Sequence, residues 1–467
     1  TQLLATDWYI DQLKRRTYTS SPIPSQLIHS QYAYGIRDYI KHEALLDSVR
    51  WSLDDFMRWV SSDQARTRYK FLLEQYEVST TNIPKSTQQM IYYPTNKIRV
   101  PVNKENVLKS GVVKPEDADL IVDYIDIDLP TSGLYKNRLM MLDILHNNDW
   151  ERPIYFTGGS YDDSEYFWMK DYLQLDGLVY KLVPIKTPID PNNPYQMGRI
   201  DTDVMYDIVM KWDWGNSDSP DIYHDPETRK NSISFRSNIT RLAKTLIDEG
   251  QKEKAITVLD LAMEKMPIET FGYYSLVVPI AAAYYRAGAL DKAQKIVTTI
   301  ASGYEEYMRY YAQWNRDEQL MLMEDIVGNV ERYKTLLTEI VEAKDHKSMT
   351  ALYDSFFESI IPFSYIYGEY DFYTELTPFV AALYDSDQVE FARELSTEIA
   401  QQYIDLLIRF LTLEDEQLPY FEMEIGIEIE AYRSLVSTVK RNENDLVFSE
   451  AFEETYDETI APFSNLD

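Results

Sequence analysis

The sequence predicts an α/β domain, with a mixed or parallel sheet and crossover helices, followed by an all-α helical repeat domain. Strands and helices alternate between about residues 90 and 185, which is the pattern of helices crossing over a sheet. After residue 236 the pattern changes to paired amphipathic helices. Between the two lie "PIDPNNPYQMGRID" and "WDWGNSDSPDIYHDPETRKN", rich in the Pro, Asn, Asp and Gly that break regular structure. The expected domains are 1–220 and 221–467, with the link between about 215 and 232, and a chain of 467 residues exceeds the usual single core.

The elements follow in order. "TQLLATDWYIDQLKRR" offers a short apolar run and a helix cap at Thr6 or Asp7, after which Trp8, Ile10 and Leu13 share one helical face. A start at Thr1 without methionine, inside such a stretch, reads as a fragment of something longer. Residues 20 to 85 look helical and irregular, with "HEALLDSVRWSLDDFMRWVSSD" the clearest helix. "IYYP" and "KIRVPV" are short and β-rich, and "DLIVDYIDIDLP" alternates apolar and acidic residues as a strand does. A helix "KNRLMMLDILHNN", a strand "RPIYFTGG", a helix "SEYFWMKDYLQL" and a strand "GLVYKLVPI" complete the first half.

In the second half, "DEGQKEKAITVLDLAMEKMP" interrupts a helical pattern with Gly250. Glycine costs a helix about 1 kcal/mol relative to alanine, so its presence asks for a reason. Ile239, Leu242, Ala243 and Leu246 form an apolar face before it; Ala255, Leu259 and Ala262 follow, and Pro267 closes the segment. The expected reason is close packing: two helices meet in a tight turn where a larger side chain would collide, at a cost of about 1–3 kcal/mol for leucine. The pattern recurs with Gly288, Ala293 and Val297, preceded by Ile280, Ala281 and Tyr284, although this unit lacks the closing proline and carries Pro279 where its first helix begins. The clearest repeats span about 236–267 and 274–305, and a degenerate third places Ala392 in the small-residue slot. The pattern resembles the tetratricopeptide repeat. That resemblance implies an exposed inner face bearing Ser237, Thr240 and Lys244 from the first unit and Ser275, Val278 and Ala282 from the second, offered to a partner.

Composition excludes several functions. Lys plus Arg minus Asp plus Glu is 46 − 77 = −31, which disfavours nucleic acid, since binding phosphates takes clustered cations. No glycine-rich phosphate loop appears. Cysteine is absent, removing disulfides, thiolate metal sites and cysteine nucleophiles. The histidines His29, His42, His146, His224 and His346 are scattered without metal-ligand spacing. No stretch approaches the 18 or so apolar residues of a membrane span. The acidic carboxy-terminal stretch around "LEDEQLPYFEMEIGIEIE" reads as a solvated face, or as a docking surface for a basic partner.

Some residues admit chemistry. Asp7 and Asp11 are four apart on a helix, and Asp123, Asp126 and Asp128 cluster near a strand end, where paired carboxylates hold cations or transfer protons. The alternatives are a helix cap and the solvent face of a half-buried strand. Arg152 and Pro153 precede a strand, where the arginine orients an anion or anchors structure; "TGGSYDDSE" places glycines before a helix start, an anion-friendly arrangement. Trp8, Trp51, Trp59, Trp168, Trp212 and Trp214 stack on sugars or fill cores.

"TDWYIDQLKR", "DWERPIYFTGG" and "YLQLDGLVYKLVPIK" together resemble the carboxy-terminal soluble region of a Bacteroidota family of multi-pass membrane proteins of unknown function. That family is similar to GT-C glycosyltransferases and to the vertebrate transmembrane protein O-mannosyltransferase. The resemblance implies a periplasmic location, tethered at the inner membrane by an absent amino-terminal transmembrane region, and a helical domain that recruits an acceptor protein or peptide. In GT-C enzymes the catalytic acid lies in the membrane half, so no catalytic residue is carried over and no cofactor or metal is expected. A stand-alone envelope scaffold and a soluble hydrolase are the alternative functions.

Overall fold

Short β-rich runs separated by turn residues make strands too brief for one large sheet, and among the described residues the first unit holds three small ones. The computed structural model describes residues 7–14, 25–33, 37–157, 167–191, 197–366, 376–385, 387–412, 421–441 and 446–464. Contacts divide the chain into two units, Thr1–Trp212 and Asp213–Asp467.

In the first unit, helix α1 (Asp7–Lys14) is followed by strands β1 (Tyr39–His42) and β2 (Trp51–Ser52), and helix α2 (Leu53–Ser61). Strands β3 (Tyr92–Tyr93), β4 (Lys97–Pro101), β5 (Tyr124–Asp128) and β6 (Leu134–Tyr135) then lead into helix α3 (Lys136–Asn148). Strands β7 (Tyr155–Thr157), β8 (Leu173–Asp176) and β9 (Val179–Leu182) and helix α4 (Thr202–Met210) complete it. The sheet orders are β3-β1-β6, β2-β4-β5 and β7-β9-β8. The first two are mixed, each with one parallel and one antiparallel pairing; the third is antiparallel throughout. Three separate sheets thus replace the single sheet with crossover helices that the alternation predicts.

The β4–β5 ladder shows how patterning works here. Ile98 and Val100 face Ile127 and Ile125, all buried, while Asp126 and Asp128 take the other side. Helix α3 coincides with its predicted span. Two other predicted helices do not. Over residues 42–63 helix begins only at Leu53, because Ser52 caps it by accepting from the Asp55 amide at 3.0 Å, and the chain before it pairs as β1 and β2. Where residues 164–175 predict one helix, a 3₁₀ turn at Phe167–Tyr172 passes directly into β8, all four of whose residues are buried. Burial on both faces erases the alternation that marks a strand.

The second unit is built of helix pairs: α5 (Pro226–Asp248) with α6 (Lys252–Lys265), α7 (Val278–Ala287) with α8 (Leu290–Tyr311), and α9 (Met323–Glu342) with α10 (His346–Ile360). Next come α11 (Thr377–Asp385) with α12 (Val389–Leu411), and α13 (Glu422–Lys440) with α14 (Leu446–Ile460). The first four pairs share one turn. Just past the first helix of each lies a residue of positive φ: Gly250 (+78°), Gly288 (+86°), Lys344 (+56°) and Asp387 (+61°). Its amide bonds back three residues, as Gly250 to Ile247 O at 2.9 Å, and the next amide bonds back five, as Gln251 to Leu246 O at 2.7 Å. The same two bonds recur at 288/289, 344/345 and 387/388. Five residues beyond each turn residue sits a fully buried side chain: Ala255, Ala293, Met349 or Ala392. Ala262 is equally buried, and Pro267 stands just before the short helix Ile268–Phe271.

The turn corrects the reason for the two glycines. A Cβ built on Gly250 or Gly288 meets nothing within 4 Å, so neither position is one of close packing. Left-handed backbone is the requirement, and a side chain there costs about 1–2 kcal/mol through its own carbonyl. Gly250→Ala and Gly250→Leu are therefore expected to lower stability by a similar amount, about 1 kcal/mol, whereas overpacking would spare alanine. Lys344→Gly and Asp387→Gly should instead raise it, by up to about 1 kcal/mol, since strain relief exceeds the added freedom of the unfolded chain. Denaturant titration of the four variants checks both statements.

Candidate functional site

The segments carrying the family resemblance act as structural pins. In α1, Ile10 is buried and Asp11 accepts from the Tyr32 hydroxyl at 2.8 Å and pairs with His29 at 3.1 Å. The Asp7 and Trp8 side chains lie outside the described residues, so the pairing of Asp7 with Asp11 does too. In "DWERPIYF", Asp149 and Trp150 both adopt positive φ. The Asp149 carboxylate accepts from Asn103 at 2.8 Å and Asn106 at 3.1 Å, and the Trp150 indole donates to Pro101 O at 3.0 Å. This corner fastens the end of α3 to the helix Lys104–Lys109. In the β8–β9 hairpin, Gly177 turns with φ +70°, and a Cβ there would lie 2.9 Å from the Trp212 ring. Beside it Lys181 and Asp176, both buried, pair at 3.2 Å, with Gln174 donating to Asp176 at 2.9 Å. Hydrogen bonds of this kind are what make a buried ion pair tolerable.

Residues 1–204 match the model of TMEM260-associated domain 2. No curated protein and no solved structure matches the chain. The match ends before the helical unit, whereas the resemblance read from the sequence extends over nearly the whole chain.

Within the matched region the predicted acidic cluster is neutralised. Arg99 grips Asp126 through two hydrogen bonds of 2.8 Å, and this holds the Asp126 carboxyl below its usual range; burial opposes the effect and Arg50 adds to it. Arg50 also pairs with Asp128 at 3.2 Å, and Lys104 with Asp123 at 2.8 Å. No group of acidic or histidine side chains among the described residues is arranged to hold a metal ion. The Arg152 carbonyl accepts from Asn148 at 2.7 Å, where it helps close the corner after α3. Beyond Thr157, "TGGSYDDSE" lies outside the described residues. The described tryptophans serve packing: Trp51 and Trp59 meet edge to face at 5.6 Å, Trp212 covers Gly177, and in the second unit Trp214 lies against Phe235 at 5.2 Å.

One polar group in this domain escapes sequence reasoning. Asp143 is fully buried within α3, and burial pushes its carboxyl up; Ser25, the Gln26 amide at 3.1 Å and Asn147 at 2.9 Å donate to it. It ties the chain at residues 25–26 to α3.

The second unit treats the six proposed partner-contact residues unequally. Ser237 and Ser275 are exposed, and Lys244 and Ala282 are half-buried. Thr240 and Val278 are buried, and the Thr240 hydroxyl donates back to Arg236 O at 2.7 Å, so neither offers a surface to a partner. Lys244 faces acid from α9: burial pushes the Glu339 carboxyl above its usual range, Glu342 adds to this, and Lys244 opposes it. An acid whose folded pKa is raised penalises the folded state at neutral pH, and the penalty vanishes below its unfolded value of about 4.3. Glu339→Gln should therefore raise the melting temperature at pH 7 and leave it unchanged near pH 4, which melts across that range will check.

A different surface emerges beside the second helix pair. Gly303 lies in α8, where a Cβ would stand 2.6 Å from the Tyr274 ring. A side chain here would displace the Tyr274 ring from its seat on the helix. With Glu306, Tyr307, Tyr310 and Tyr311 these two residues line a groove of ≈ 400 Å³. Tyr274 is carried by the turn after the short helix Ile268–Phe271, where Gly272 and Tyr273 both have positive φ. Arg236, fully buried in α5, holds that turn by donating to Gly272 O at 2.6 Å and to Met266 O at 2.8 Å.

Proposed function

We propose that the chain is the soluble periplasmic portion of a membrane-embedded, GT-C-like glycosyltransferase, and that its helical unit recruits an acceptor protein or other partner. The observation that carries this reading is the match of residues 1–204 to a TMEM260-associated domain, which links the chain to a glycosyltransferase-like protein. The helix pairs of the second unit, with a turn that recurs in four of them and a buried residue five positions on, support a repeat of the tetratricopeptide kind, an architecture suited to protein binding. Asp11, Asp149, Trp150, Asp176 and Lys181 of the three motif segments make structural contacts, in keeping with a donor site elsewhere, in a membrane half. No helix among the described residues is long and apolar enough to cross a membrane.

Two measurements test this. The gene upstream of Thr1 is expected to encode several apolar spans of about 20 residues; their absence favours the stand-alone scaffold. Incubated with lipid-linked sugars and acceptor peptides, the chain alone is expected to give no transfer, and turnover comparable to that of the full-length enzyme would refute the assignment.

A further inference from the structure

We propose that the groove lined by Tyr274, Gly303, Glu306, Tyr307, Tyr310 and Tyr311 captures a lysine or arginine side chain of a partner peptide. Three features of the site point to a cation. Its walls are aromatic, and Tyr307 and Tyr310 leave 45 % and 51 % of their surface open. Such ring faces attract ammonium and guanidinium groups and hold them more firmly as they desolvate. The groove also contains a carboxylate, Glu306, which forms no ion pair with any described residue. Glu269, likewise without an ion pair, adds its charge: burial raises the Tyr274 phenol, and Tyr307, Glu306 and Glu269 raise it further, so the ring stands in a negative field. Of the nearby cations, Arg309 donates to Glu305 O at 3.3 Å, and Arg332 acts at the far end of the groove, where it opposes the rise that burial, Asp325 and Tyr307 give the Tyr311 phenol; the Tyr274 end feels only acidic and phenolic neighbours.

The site is built rather than incidental. Tyr274 seats against α8 only because position 303 has no side chain, and it is aimed there by two consecutive residues of positive φ, one of them the non-glycine Tyr273. Left-handed backbone in a tyrosine is costly and persists where surrounding structure enforces it. Arg236 supplies that enforcement through Gly272 O. A net charge of −31 draws basic segments toward the chain, and the groove gives one cationic side chain a specific seat. A neutral glycan would also stack on tyrosine rings, but it gains nothing from an unpaired carboxylate.

The inference rests on the second unit alone and does not require the transferase reading. Calorimetric titration of the chain with a decapeptide rich in lysine and arginine is the test. The comparison ligands are the same peptide with norleucine and citrulline at those positions, and a linear mannose oligosaccharide. The basic peptide is expected to bind saturably, at least about tenfold more tightly than its neutral counterpart, and more weakly at high salt. Glu306→Gln and Tyr307→Leu should each weaken binding about tenfold or more, while Glu253→Gln, an exposed acid on α6, leaves it unchanged; all three should melt like the parent. Equal loss in Glu306→Gln and Glu253→Gln would reduce the effect to diffuse attraction and overturn the proposal. So would equal binding of the neutral peptide, absence of binding, or mannose binding that Glu306→Gln leaves intact.

Discussion

Arg236→Ala is expected to destabilise the second unit by about 3–5 kcal/mol. The guanidinium is completely buried with no carboxylate partner among the described residues; burial lowers its pKa to about 10, which still leaves it charged at neutral pH. Carbonyls at the end of α6 and in the following turn compensate: Met266 O at 2.8 Å and Gly272 O at 2.6 Å. A cation is favoured at a helix carboxy terminus, where carbonyls lack partners within the helix. Truncation strands both acceptors in the interior, at about 1–3 kcal/mol each, and leaves a cavity besides. Lysine, with a single ammonium on a flexible stem, cannot fork between the two carbonyls, so Arg236→Lys should recover only part of the loss. Denaturant titration gives the magnitudes. Hydrogen exchange should show lost protection concentrated between residues 226 and 311, and a uniform change across the unit would contradict the capping role. The turn carrying Tyr274 should loosen as well, since Arg236 holds it.

Tyr333→Ala should cost a similar amount, about 3–5 kcal/mol, for a different reason. Tyr333 is fully buried at the centre of an aromatic column that passes from Tyr274 through Tyr304, Tyr333 and Phe356 to Phe379, with ring centres 5.1–6.4 Å apart. These rings come from successive helix pairs. Removing the middle one weakens the interface between neighbours, and stacked units depend on such interfaces for cooperativity. Its hydroxyl donates to Glu305 at 2.9 Å, an acid that also accepts from Ser355 at 2.6 Å. Tyr333→Phe should therefore lose only about 1 kcal/mol. The decisive readout is the shape of the transition: Tyr333→Ala is expected to split unfolding into two steps, whereas Tyr333→Phe keeps one. A single sharp transition in Tyr333→Ala would show that the column does not couple the pairs.

Much of the architecture is legible because local chemistry and tertiary environment agree. Helix α3 and strands β4 and β5 carry clear periodicity, and the glycines at 250 and 288 mark where helices end. Legibility fails where environment overrides pattern. Strand β8 is buried on both sides and reads as helix, and the stretch before Leu53 looks helical yet enters two sheets. The turns at Lys344 and Asp387 share the geometry of those at Gly250 and Gly288 but lack glycine, so the third and fourth pairs carry a weaker signature. Among the partner-contact residues, Thr240 and Val278 occupy positions that the resemblance to the repeat family places on an open face, and in the structure both are buried.

The sequence by itself determined the change from strands to helix pairs, the absence of thiols, the acidic charge balance and the three motifs of the first unit, because these depend on composition and short-range spacing. Only the tertiary structure decided what those motifs contact and how the groove beside Tyr274 is formed. Arg236 reaches Gly272 O across 36 residues, and Tyr274 meets Gly303 across a similar span. Contacts of that length follow from how helices pack, and no local pattern in the chain encodes them.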